Sequence, residues 1–102
     1  MNLLELLGYI EKRPLMYLKN KDIDELDSFL AGYNLCLSLN KIVDKESNIF
    51  NKDFYYYILK KYEIEKGHTW LELIKQISLD ENREEFDLFF EVLKDFKKDK
   101  EL

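Results

Sequence analysis

Residues 22–39 read DIDELDSFLAGYNLCLSL, and their interpretation decides between an all-helical chain and a mixed one. Ile23, Leu26, Phe29, Leu30, Tyr33 and Leu37 recur at steps that place them on one continuous helical face. Asp22 precedes the first of them, and Glu25 follows it at the spacing of a capping box, with Asp in place of Ser or Thr. The end of the stretch is ambiguous on its own. Leu35-Cys36-Leu37-Ser38-Leu39 alternates with period two, as a half-buried strand does. No run elsewhere in the chain offers such a strand a partner, so helix is the preferred reading. From Phe29 to Leu39 that helix is apolar nearly all round, which predicts the central and most buried element of the fold.

Outward from this stretch the helical signals continue. Leu3, Leu4, Leu7 and Ile10, widened by Leu6 and Tyr9, predict a first helix over about residues 2–12. Pro14 ends it, because the residue before a proline avoids helical geometry, and 15–20 become a connector or one extra turn. Asp44 to Asn48 reads as a polar loop. A third helix is expected over about residues 51–62, with Phe50, Phe54, Tyr57, Ile58 and Lys61 on one side and Tyr55, Leu59 and Tyr62 on a neighbouring one. Gly67 marks the break after it. Thr69-Trp70-Leu71-Glu72 has the full capping-box spacing and starts a fourth helix, with Trp70, Leu71, Ile74 and Ile77 facing inward. A fifth is expected from Asp80 or Glu81 to about Phe96, its core face formed by Phe86, Phe89, Phe90, Leu93 and Phe96, with 97–102 as a frayed tail. The predicted fold is all-α: a single domain over 1–102, built as a compact bundle or orthogonal array of about five helices. Composition agrees, since 46% hydrophobic residues supply a core while three Gly and one Pro are too few for a turn-rich sandwich or barrel.

The chemistry is defined largely by what is missing. Twenty-one acids against 16 bases give a formal charge of −5. No basic footprint is visible for nucleic acid or for an anionic membrane surface. Asp22 to Tyr33 could imitate part of a helix-turn-helix, but no basic recognition helix follows. A basic protein is the better electrostatic match, although this much charge also simply keeps a small domain soluble. The single cysteine, Cys36, excludes an internal disulfide and, in so apolar a stretch, is expected to be a buried structural thiol. One histidine, His68, and no clustered ligands leave no metal site to assign. No nucleophile elbow and no glycine-rich phosphate loop occurs. No catalytic residue and no cofactor follow, and the expectation is a protein that is not an enzyme; a carboxylate pair in a pocket is the one catalytic route the residue counts leave open. The start Met1-Asn2-Leu3-Leu4-Glu5 lacks a signal peptide's basic region, and no apolar run has the length of a membrane span, which predicts a cytoplasmic protein.

Two groups are candidates for partner binding. Asp80, Glu84, Asp87 and Glu91 recur at spacings that would place them on one face of the expected fifth helix, with no base in that stripe until Lys94. Residues 80–102 hold nine acids and five bases. A helix dipole favours acids near its start but does not explain Glu91. The stripe reads either as a docking strip for a basic partner or as a solvated face. The second group is Tyr55-Tyr56-Tyr57. Successive helical side chains point about 100° apart, so at least one of the three must reach the surface. Tyr55 and Tyr56 are the candidates for a central contact, since tyrosine is enriched at interface hot spots. Equally, such tyrosines cover a core rim, or a two-fold contact between copies would bury them and make a small homo-oligomer.

Arg13-Pro14-Leu15-Met16-Tyr17-Leu18 partly matches the Arg-Pro-Gly-Met-Tyr-Ile-Gly element found in the ATPase component of DNA gyrase. Leu15 and Lys19 replace both glycines, and the nucleotide-binding loops have no counterpart, so that relation is rejected. A wider layout joins Arg13-Pro14-x-Met16-Tyr17-Leu18 to Ile23-x-x-Leu26-x-x-Phe29-x-x-Gly32-Tyr33, then Trp70 and Phe86-x-x-Phe89-Phe90. It resembles small bacterial proteins of the polymorphic-toxin immunity type. The resemblance implies a protein that neutralises one cognate toxin by tight binding, often with an acidic surface set over a basic nuclease. It carries over no binding residue.

Overall fold

A computed structural model describes residues 2–102. Among them the regular structure is entirely helical: α1 (Leu3–Lys12), a 3-10 turn (Pro14–Met16), α2 (Ile23–Leu39), α3 (Lys45–Lys61), α4 (Trp70–Glu81) and α5 (Glu85–Asp99). The all-α expectation with five helices holds. Leu35 to Leu39 is helical, as a segment without a partner strand must be if its backbone groups are to be satisfied. The chain divides into two compact units, residues 1–50 and 51–102, with the division inside α3.

In the first unit, Asn2 caps α1 by accepting from the Glu5 N–H at 2.9 Å. Leu3, Leu4, Leu6, Leu7 and Ile10 are buried. The Arg13 N–H closes the helix on the Tyr9 carbonyl, and Pro14, with no N–H to lose, opens the 3-10 turn. The Tyr17 ring then meets Phe29 edge-on, centroids 6.4 Å apart. Asp22 caps α2, its Oδ1 accepting from the N–H groups of Asp24 (2.7 Å) and Glu25 (3.3 Å). Glu25 accepts from the Asn20 N–H at 3.1 Å.

Asp44 corrects the expected polar loop. It is buried, and helix α3 begins directly after it, six residues earlier than the apolar pattern indicates. Its Oδ1 accepts from the N–H groups of Glu46 (3.1 Å) and Ser47 (3.2 Å), which is capping geometry. Its Oδ2 accepts from the Leu3 N–H at 2.9 Å and the Tyr33 hydroxyl at 3.0 Å. One carboxylate thereby ties together the start of α1, the middle of α2 and the start of α3. Ser47 Oγ adds a bond to Asn34 Oδ1 at 2.7 Å.

A second correction concerns α2. Only Ile23, Leu26 and Leu30 are buried on it, while Leu35 and Leu39 stand 59% and 74% exposed. The reason is angular. At 3.6 residues per turn Leu26, Leu30, Tyr33, Asn34 and Leu37 share the face that meets Asp44 and Ser47, Leu35 and Leu39 lie on the opposite one, and Cys36 lies at the edge between them. Apolar all round therefore means one covered face and one bare face. Cys36 is exposed with it, against the expectation of a buried thiol.

The second unit is built on aromatics. Phe54 and Ile58 of α3 are buried, and Phe54 meets Trp70, Phe89 and Phe96 at centroid distances of 6.1, 5.6 and 5.3 Å. Glu63, with φ of 53°, closes α3, and the Tyr55 hydroxyl pins the following loop by donating to the Gly67 carbonyl (2.6 Å) and accepting from its N–H (3.1 Å). Gly67 is needed for closeness: a Cβ there would lie 2.6 Å from Leu73 Cδ2. Thr69 caps α4 as its capping-box spacing predicts, accepting from the Glu72 N–H at 3.2 Å.

The boundary between the last two helices differs from expectation. Helix α4 continues through Glu81 and ends where Asn82 adopts the left-handed conformation (φ 51°, ψ 52°). The Arg83 N–H returns to the Ser78 carbonyl at 2.9 Å, and α5 starts only at Glu85. Its buried face contains all five expected residues and also Leu88 and Val92. The segment expected to fray is helical through Asp99, and the Leu102 N–H reaches the Lys97 carbonyl at 2.8 Å.

Candidate functional site

The four acids of the expected stripe are not on one helix. Asp80 belongs to the last turn of α4, Glu84 is the N-cap of α5, and Asp87 and Glu91 lie on α5 itself. Asn82 causes the break, because its left-handed turn resets the helical phase between Asp80 and Asp87. Glu84 is occupied structurally: Oε1 accepts from the Phe86 N–H at 3.0 Å and Oε2 from the Asp87 N–H at 2.8 Å. Arg83, outside the sequence pattern, pairs through Nη2 with Glu91 and through Nη1 with Glu81 at 3.6 Å. All four acids remain exposed. They form an acidic region with an arginine in its midst, not an unbroken strip.

Of the candidate tyrosines, Tyr56 reaches solvent, 66% exposed. Tyr55 is half-buried, its hydroxyl held by Gly67 and its ring edge-on to Tyr56 at 5.2 Å. Burial pushes the phenols of Tyr33, Tyr57 and Tyr62 above the ordinary range, with the Asp44 carboxylate reinforcing the effect on Tyr33. Among the described residues no group of three or more His, Cys, Asp or Glu could hold a metal ion. Among them, too, no helix is long and apolar enough to cross a membrane.

The bare face of α2 and the turn after it bring several exposed apolar residues together in sequence. Leu35 and Leu39 are one helical turn apart. Lys41 takes the left-handed conformation at φ 53°, the Ile42 N–H bonds the Leu37 carbonyl at 2.9 Å, and Ile42 and Val43 follow, 55% and 85% exposed. Cys36 borders the strip, and Asn40 Nδ2 donates to its carbonyl at 2.8 Å. Between Asp27 and Asp44 the one charged residue is Lys41. An exposed apolar cluster is a candidate contact site. The sequence carried its signal in the helix that is apolar all round, since a short chain has too few neighbours to cover both faces.

Comparison with known proteins finds no matching family model, no matching curated protein and no matching solved structure. Function is therefore read from this chain's own residues. A smaller feature completes them: Tyr9, Lys12, Arg13, Met16 and Tyr17 line a hollow of about 260 Å³ between α1 and the 3-10 turn. A shallower one shares Tyr17 and is lined also by Lys19, Asp24, Glu25, Ser28 and Phe29.

Proposed function

We propose that this chain is a non-catalytic binding protein, an inhibitor of the immunity type that neutralises a basic toxin or nuclease by covering it. The observation that carries the reading is the strip Leu35, Leu39, Ile42 and Val43, which is apolar, exposed and nearly free of charge. Interface centres have this composition: depleted in charge, with polar residues at the rim. The basic character of the partner is inferred from the acid excess of the chain, which would speed the encounter and order the approach more than it would add affinity. Asp80, Glu84, Asp87 and Glu91 contribute to that field, and of Tyr55 and Tyr56 it is Tyr56 that is exposed enough for a direct contact.

The test is capture by the tagged chain at low and at high salt, run beside Leu39→Glu. A basic protein held by the wild type, lost by the variant, and inactivated when the purified chain is added back would support the proposal. A partner held equally by Leu39→Glu would remove the strip from it. A second reading, a homo-oligomer joined through the same strip, is favoured by Lys41 being the strip's one charge, so that two copies meet with little repulsion. A dimer mass that collapses to monomer in Leu39→Glu, with no captured partner, would select that reading.

A further inference from the structure

The hollow at Tyr9, Lys12, Arg13, Met16 and Tyr17 shares no residue with the α2 strip. Its lining holds two cations and no carboxylate, in a chain with 21 acids and 16 bases. Lys12 in the last turn of α1 is explained by the helix dipole. Arg13 lies beyond that helix, at its C-cap (φ −140°, ψ 69°), with Nη1 directed at Met16 Sδ at 3.9 Å. The guanidinium is thus drawn along the wall of the hollow. The remaining lining is aromatic and thioether, and it is open: Tyr9 is 47% and Met16 67% exposed, with Leu15 beside them at 69%. Paired cations against an adaptable apolar wall recognise a carboxylate that has an apolar neighbour.

We infer that this hollow docks a short acidic segment of another protein, its carboxylates against Lys12 and Arg13 and an apolar side chain against Tyr9, Met16 and Tyr17. The volume, about 260 Å³, suits one or two side chains. Crossing Tyr17, an occupant would meet Asp24 and Glu25 in the adjoining hollow, so its carboxylates belong at the Lys12–Arg13 end. A nucleic acid fits worse, because two cations do not offset the chain's net −5 toward a polyanion. A short peptide senses mainly the local pair, since charges beyond roughly 10 Å are screened at ordinary salt.

The test uses the full chain and fluorescence anisotropy with a labelled Asp-Glu-Leu-Phe-Asp peptide, its Asn-Gln-Leu-Phe-Asn twin, and a single-stranded oligothymidine. Saturable binding of the acidic peptide is expected, weakened about tenfold in the amide twin and about tenfold by the combined Lys12→Gln and Arg13→Gln substitutions. Met16→Asp, at an exposed position that does not threaten folding, should weaken it comparably. Leu39→Glu should leave it unchanged, which separates this site from the strip. Absence of saturation, equal affinity for the twin, unchanged binding in the folded double variant and in Met16→Asp, or tighter binding of the oligothymidine would each overturn the inference.

Discussion

Replacing Asp44 with alanine should be the most damaging single change to a polar residue of the first unit. The side chain accepts from four donors: the backbone N–H groups of Leu3, Glu46 and Ser47, and the Tyr33 hydroxyl. Loss of the α3 cap costs about 1 kcal/mol. The Leu3 N–H is left buried without an acceptor, at about 1–3 kcal/mol, whereas the half-buried Tyr33 hydroxyl can turn to water at smaller cost. The total is about 3 kcal/mol, a large share of the stability of a small domain. Asp44→Ser should recover the capping part alone. Asp44→Asn keeps one acceptor oxygen and turns an NH2 toward donors, and should fall between wild type and alanine. Urea unfolding at neutral pH checks this, followed by far-UV circular dichroism for all the helices and by fluorescence of Trp70, the single tryptophan, for the second unit. An alanine variant within about 0.5 kcal/mol of wild type, the range of ordinary surface changes, would refute the carboxylate's role.

Leu39→Glu, at a position 74% exposed, should change the unfolding free energy by no more than about 0.5 kcal/mol while abolishing partner capture or self-association; a large loss of stability would mean that the strip is internally covered. Gly67→Ala should cost about 1–2 kcal/mol, because its methyl group would displace Leu73, and a melting temperature equal to wild type would show that the loop yields freely. Stability should also fall at alkaline pH. Burial raises the phenols of Tyr33, Tyr57 and Tyr62, and the hydrogen bond to Asp95 raises Lys61. Groups raised on folding stabilise fully below their unfolded values near pH 10 and lose that contribution as pH climbs through the folded ones. The urea midpoint should therefore drop as pH rises from about 9 to 11 and beyond, and a flat profile would contradict the shifts.

The helices were legible wherever a start signal coincided with an apolar period. Asp22 and Thr69 begin α2 and α4 as their sequence context predicts, and all five apolar residues assigned to the face of α5 are buried. Legibility failed where one residue overrides a pattern. Asp44 looks like loop composition until its Oδ2 is seen to bind Leu3 and Tyr33. Asn82 looks like an ordinary polar position, yet its left-handed backbone sets the boundary between the fourth and fifth helices, later than the apolar pattern places it. These are long-range or dihedral facts, and neither leaves a trace in hydrophobic period. Burial failed for a different reason. Periodicity reports that a residue is apolar but not whether a neighbour exists to cover it, and so α2 read as the core when half of it is surface.

That difference separates the acids from the strip as functional evidence. Carboxylates of Asp22, Asp44 and Glu84 each accept from two N–H groups at the start of a helix, where four backbone donors would otherwise lack partners. Glu91 is matched by Arg83, and Asp95 by Lys61 at 3.1 Å. Much of the acidity that reads as a docking surface is therefore accounted for by helix starts and surface ion pairs, and would exist without any partner. No such account covers Leu35, Leu39, Ile42 and Val43. Their side chains cap nothing, the one helix-closing bond among them coming from the Ile42 backbone N–H to the Leu37 carbonyl; they are unneeded for solubility, and their exposure carries the aggregation hazard of any bare apolar surface. A feature that folding alone does not explain is the one on which selection for contact is the economical explanation, which makes the strip the candidate for contact and the acids the candidates for steering.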